Sequence, residues 1–69
     1  MKVGVVGSGV VGYAVGRGLG RIGHSVVFFD VNDERVNWIR NNGFEATNDM
    51  KALVRSSEVI LICVPTPTV

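Results

Sequence analysis

A chain of 69 residues is long enough for one small domain, or for part of a larger one. With 46% apolar residues, 19% charged residues and a net charge of +1, it reads as a globular protein. It has no polybasic surface for nucleic acid or anionic lipid, and no apolar run near the roughly 20 residues that span a bilayer. Its single cysteine, Cys63, excludes an intramolecular disulfide. The N-terminus opens directly into a strand pattern without a signal-peptide layout, and the expected compartment is a reducing cytoplasm.

In chain order, Lys2 to Val6 is a β-branched run bounded by Gly7 and is expected to be a strand. From Val11 the apolar positions Val11, Ala14, Val15, Leu19 and Ile22 have helical spacing and predict a helix with one sticky face. Gly23 ends it. Ser25 to Asp30, apolar throughout, suits a strand buried on both faces. Asn32 or Asp33 caps a second helix running to about Asn42, with Gly43 as its stop. Phe44 to Thr47 is a weak third strand. Asn48 or Asp49 caps a short helix with Met50, Leu53 and Val54 on one side. Glu58 to Val64 is the fourth strand, and Pro65 terminates it because proline has no N–H for the ladder.

Strands alternating with helices predict an α/β fold with a parallel sheet and right-handed crossovers. Two crossovers run one way from the first strand and the third returns past it. The expected order is therefore 3-2-1-4, with two helices on one face and the short one on the other. This is the first part of a Rossmann dinucleotide-binding fold.

The motif "VGVVGSGVVGYAVG" occupies Val3 to Gly16. Gly7, Gly9 and Gly12 form a G-x-G-x-x-G loop between a predicted strand and a predicted helix. Gly7 allows the sharp turn, Gly9 lets a pyrophosphate approach the backbone, and Gly12 lets the helix lie close to the strand. The helix N-terminus then offers free N–H groups and its positive dipole end to phosphates. Gly16 extends the close-packing ridge. Gly18 and Gly20 are not assigned to a ligand, and they read as small-residue packing or a tolerated cost. The competing view of the loop is a glycine-rich turn with no ligand.

Asp30 lies eighteen residues after Gly12, close to the about 20 expected for an acid that binds a ribose. Its carboxylate can accept from both adenosine ribose hydroxyls and would repel a 2′-phosphate, which favours NAD over NADP. As an alternative, Asp30 only begins a turn with Asn32 and Asp33. Arg35, in the first turn of the second helix, has three equal readings: a group within reach of the ribose, a solvated helix residue, or one that tolerates a phosphate. His24 is expected at the surface of a turn, Trp38 to pack its helix, and Cys63 to be a core residue. No catalytic constellation is visible, and the chain alone is expected to lack turnover.

The segments "MKVGVVGSGVVGYAVG", "GHSVVFFDVNDERVNWI" and "SSEVILICVPTPT" resemble the N-terminal domain of the UDP-glucose/GDP-mannose dehydrogenase family over nearly the whole chain. The resemblance implies a longer NAD-dependent dehydrogenase acting on a sugar-nucleotide alcohol, with a catalytic cysteine and lysine in later segments. It also implies that Val10, Val11, Arg35 and Thr66, in the "VPTPT" loop, lie beside the cofactor. Two features depart from that family: Val10 stands where an aromatic is common, and no long insertion follows the second helix. The shorter layout resembles the β-hydroxyacid and 6-phosphogluconate dehydrogenases. The pattern is also similar to non-enzymatic nucleotide-binding regulatory domains of potassium transport systems. Finally, the apolar fourth strand, "VILICV", would lie at a sheet edge, so the chain is expected to self-associate through it.

Overall fold

The computed structural model describes residues 1–7 and 9–63. Their elements alternate as β1 (Lys2–Val6), α1 (Val10–Arg21), β2 (Ser25–Phe29), α2 (Asp33–Asn41), β3 (Glu45–Thr47), α3 (Met50–Ser56) and β4 (Val59–Ile62). All sheet pairings are parallel, in the order β3-β2-β1-β4, as the alternation predicts. Register aligns Val5 with Phe28 on one side and with Leu61 on the other, and Phe28 with Ala46.

Successive strand residues point to opposite faces. Val3, Val5, Phe28 and Ala46 form one face and, with Val36 and Ile39 of α2, make the buried core; Tyr13, Leu19 and Phe44 pack against it. The other face is thinner. Val27 and Leu53 of α3 are buried there, and a Cβ at Gly4 would lie 3.0 Å from Leu53 Cδ1 and 2.6 Å from Ser57 Oγ. Gly4 is therefore small because α3 presses on the central strand.

Each end of an element has a local cause. Asn32 caps α2 by accepting the Arg35 N–H at 3.2 Å. Asp49 caps α3 by accepting from Lys51 and Ala52. Gly23 and Gly43 lie at positive φ just beyond α1 and α2. The strands are shorter than the apolar runs predict. Asp30 leaves β2 because its Oδ1 accepts the Asn32 N–H at 2.9 Å and turns the chain, although its own N–H still reaches the Thr47 carbonyl. Phe44 falls outside β3 because its N–H is taken by the Ile39 carbonyl at the end of α2. Glu58 and Cys63 flank β4, each donating one N–H to β1. Val64, Pro65 and the rest of the "VPTPT" segment lie outside the described residues.

Two helix faces differ from expectation. The inward face of α1 is not the valine stripe: Gly12 and Gly16 are buried, while Val11, Ala14, Val15 and Ile22 are exposed. A Cβ at Gly16 would run into the ring of Phe28, so at this point α1 lies too close to the sheet for a side chain, while Tyr13 and Leu19 pack against the core on either side of it. On α3 only Leu53 is buried; Met50 and Val54 face outward.

Candidate functional site

The strand β1 ends at Gly7, which has φ +86°, a backbone conformation that side-chain-bearing residues rarely adopt. Gly9 is the N-cap of α1, and its carbonyl accepts the Tyr13 N–H at 2.9 Å. The amides of the first helical turn come before that bond, so they face out of the helix end, and no acidic residue lies among them. Among the described residues, a Cβ added at Gly9 would meet nothing within 4 Å, whereas one at Gly12 would collide with the Gly7 carbonyl oxygen. Open space above Gly9 and contact beneath Gly12 are what a phosphate cradle at a helix N-terminus requires. The described residues of the loop thus leave room for an anionic group at the helix N-terminus.

The acid is brought to the same rim. The Gly7 N–H donates to the Phe29 carbonyl at 3.2 Å, which ties the glycine turn to the end of β2 and places Asp30 as the next residue. Asp30 is half-buried. From it a short relay runs into α2, from the Asp30 carboxylate to the Asn32 N–H and from the Asn32 side chain to the Arg35 N–H. Arg35 therefore sits in the first turn of α2 with its backbone fixed relative to the acid. Its guanidinium carbon lies 4.5 Å from the centroid of the Trp38 ring and 5.8 Å from that of Tyr13. Both distances fall in the cation–π range.

Of the predicted site residues, Gly7, Gly9, Val10, Val11 and Gly12 thus line the start of α1, with Val10 85% exposed, and Asp30 and Arg35 stand at the adjoining end of β2 and start of α2. Thr66 lies outside the described residues. Cys63 is half-buried and packs against the core. His24 departs from expectation: it is half-buried, and its Nδ1 is buried without a hydrogen-bond partner among the described residues. Trp38, expected to pack its helix, is 44% exposed and meets the Tyr13 ring of α1 edge to face.

Tyr13 was not legible as a site-side residue. It joins an aromatic cluster, with ring centroids 5.0 Å from Trp38, 5.7 Å from Phe28 and 5.7 Å from Phe44. The available signal was pairing at helical spacing: Tyr13 with Arg17, and Arg35 with Trp38.

A parallel β-α-β unit, a glycine turn at a helix N-terminus and an acid closing the second strand define a Rossmann-type dinucleotide-binding domain. Comparison with known proteins narrows the class. Residues 2–69 match the family model for the NAD binding domain of 6-phosphogluconate dehydrogenase, and the chain belongs to that family, whose cofactor is NAD. The chain is 36% identical over 76 residues to a glycerol-3-phosphate dehydrogenase [NAD(P)+] from Acholeplasma laidlawii, and 34% identical over 82 residues to a UDP-N-acetyl-D-mannosamine dehydrogenase from Methanococcus maripaludis. Each alignment covers 96% of this chain but only 23% and 19% of the relative. The chain spans less than a quarter of the curated relatives it matches. The 6-phosphogluconate dehydrogenase type, weighed above as an alternative, fits at least as well as the UDP-glucose/GDP-mannose type.

Proposed function

We propose that this chain is the cofactor-binding front of an NAD-dependent dehydrogenase. In this reading Gly7, Gly9 and Gly12 receive the pyrophosphate, with Val10 and Val11 beside it. Asp30 accepts from the adenosine ribose hydroxyls, Arg35 stands near them, and Thr66 borders the cofactor further along. The observation that carries the proposal is the open approach above Gly9, at a helix N-terminus tied by the Gly7–Phe29 bond to the strand that delivers Asp30. The domain's work is binding and orientation of the cofactor, and NAD supplies the hydride chemistry.

For the substrate, the names of the matched family and relatives share one chemical feature. 6-Phosphogluconate, glycerol 3-phosphate and UDP-N-acetyl-D-mannosamine are all hydroxyl compounds that carry phosphate. We propose a phosphorylated alcohol oxidised by residues outside this chain, with sugar nucleotides as one member of that class. A single cysteine and a nicotinamide cofactor suit a reducing cytoplasm. Among the described residues no helix is long and apolar enough to cross a membrane.

Calorimetric titration with NAD+, NADP+ and ADP-ribose tests the reading. NAD+ is expected to bind more tightly than NADP+, because the Asp30 carboxylate opposes a 2′-phosphate. ADP-ribose is expected to bind about as well as NAD+. Equal or tighter NADP+ binding would remove Asp30 from its assigned role.

A further inference from the structure

The two edges of the sheet are treated differently by the rest of the chain. Among the described residues β3 and β4 are the outer strands, in the order β3-β2-β1-β4. An outer strand presents backbone groups with which a strand of another molecule can pair. At β3 the pairing with β2 fixes which groups these are. The Asp30 N–H donates to the Thr47 carbonyl, so that carbonyl faces β2. Backbone directions alternate along a strand. Ala46, the middle residue of Glu45–Thr47, therefore turns its carbonyl and its N–H to the open side.

That carbonyl is already taken. Arg40 lies in the last turn of α2. Beyond it the Gly43 N–H donates to the Arg40 carbonyl and the Phe44 N–H to the Ile39 carbonyl, which brings β3 back beside the end of the helix. From there Arg40 Nε donates to the Ala46 carbonyl at 2.9 Å. Among the described residues Arg40 makes no ion pair, so no carboxylate draws its charge away from the strand.

A guanidinium is permanently charged, with five N–H donors and no acceptor. An incoming strand would have to displace it from the Ala46 carbonyl, or bury the cation against amide N–H groups that cannot pair with it. The ladder on offer is also short and polar: β3 has three residues, and the Glu45 side chain is 70% exposed beside Lys2. β4 has no such cover. Its residues, Val59–Ile62, are all apolar, and among the described residues no side chain bonds to their backbone.

We infer that Arg40 closes the β3 edge to a second copy of this chain and leaves the sheet extendable at β4 alone. The effect is one of symmetry. Two copies joined β4 to β4 across a two-fold axis form a closed pair. Joining β4 of one copy to β3 of the next is head to tail and does not close, so it would continue into a filament. With β3 occupied by Arg40, only the closed pair is open to the chain. The inference concerns the backbone edge and does not depend on the dinucleotide reading.

Sedimentation at several micromolar concentrations, amide hydrogen exchange and thermal unfolding test this on the native chain and on Arg40→Met, Arg40→Ala and Arg40→Lys. The native chain is expected to be no larger than a dimer, with a rapidly exchanging Ala46 amide. Arg40→Met keeps the unbranched stem but loses the donor and the charge, and Arg40→Ala loses the stem as well. Both are expected to form species larger than the native one that grow with concentration, and in them the Ala46 amide slows about tenfold or more. Arg40→Lys keeps a cation with N–H donors at the edge and is expected to hold the native size. Native size in both Arg40→Met and Arg40→Ala overturns the inference. So does growth in which the Ala46 amide still exchanges rapidly, since association then runs through another surface or through lost stability, which the unfolding midpoint reports. Growth of Arg40→Lys equal to that of Arg40→Ala overturns it too, as does a native chain that already forms open-ended assemblies with a protected Ala46 amide.

Discussion

Gly9 and Gly12 stand three residues apart in one loop and differ in kind. Gly9 has ordinary negative φ and, among the described residues, empty space where a Cβ would go, so none of these residues demands a glycine there. Gly12 is wedged against the Gly7 carbonyl and lies 3.3 Å, measured from an added Cβ, from the Cβ of Cys63. Substitutions at the two positions should therefore separate binding from folding. Gly9→Val is expected to leave the unfolding midpoint nearly unchanged and to abolish NAD+ binding, because its side chain fills the phosphate approach. Gly12→Ala is expected to destabilise the chain by about 1–3 kcal/mol, the range for overpacking a filled site. Thermal unfolding and NAD+ titration of both variants check the pair. Retention of NAD+ affinity within a few-fold by Gly9→Val would mean that the phosphate does not sit on this loop.

At the level of elements, α1 shows how glycine can be the packing residue. Its buried edge is Gly12 and Gly16, and the Phe28 ring occupies the room that Gly16 leaves. Gly18 and Gly20 lack that excuse. Among the described residues, an added Cβ at Gly18 meets nothing within 4 Å, and one at Gly20 only just touches Phe44, at 4.0 Å. Gly18→Ala is thus expected to stabilise the chain by up to about 1 kcal/mol, through helix propensity and a less flexible unfolded state. Chemical denaturation reads this as a higher midpoint at constant slope.

The order of elements, the parallel sheet and the 3-2-1-4 topology were legible because caps, glycine stops and β-branched runs are local signals that agreed with one another. The glycine loop and Asp30 were legible from spacing. The close-packing glycines Gly12 and Gly16 were legible from the motif, but the outward turn of Val11, Val15 and Ile22 was not, since periodicity counts apolar residues and a helix in close contact with a sheet buries its smallest ones. The Tyr13–Trp38–Arg35 contact was not, because it joins two helices whose relative height no single segment records. Strand ends slipped by a residue or two where a side chain or a helix end claimed an amide that the ladder would have used.

On the scale of the whole molecule, the sheet is unevenly protected. One face carries α1 and α2 over the main core; the other has only α3, with Leu53 as its buried anchor. At the β4 edge Val59 and Ile60 are partly open and Ile62 is 71% exposed. An edge strand offers a row of unpaired backbone groups, and no charge lies between Val59 and Ile62 to deter a second chain. A domain of about this size also buries only about 60% of the surface that its unfolded chain exposes. The isolated chain is therefore expected to self-associate, most simply by pairing β4 with β4 across a two-fold axis. Sedimentation at micromolar concentration checks this. A monomer with slowly exchanging Ile60 and Ile62 amides would show that the edge is covered in another way.

The pairing of β1 with β4 also fixes a timetable. β1 leaves the ribosome well before β4, yet it occupies an inner position between β2 and β4, and Val3 waits for Val59 to complete its second ladder. At synthesis rates of about 5–20 residues per second, the 56 residues added after Val3 up to Val59 take roughly 3–11 s. Over that interval β1 can pair with β2 but keeps one side open, and Leu53, which seats against Gly4, is made only near the end. β1 of the nascent chain thus stays open on one side, and completion of this four-strand sheet is governed by delivery of β4.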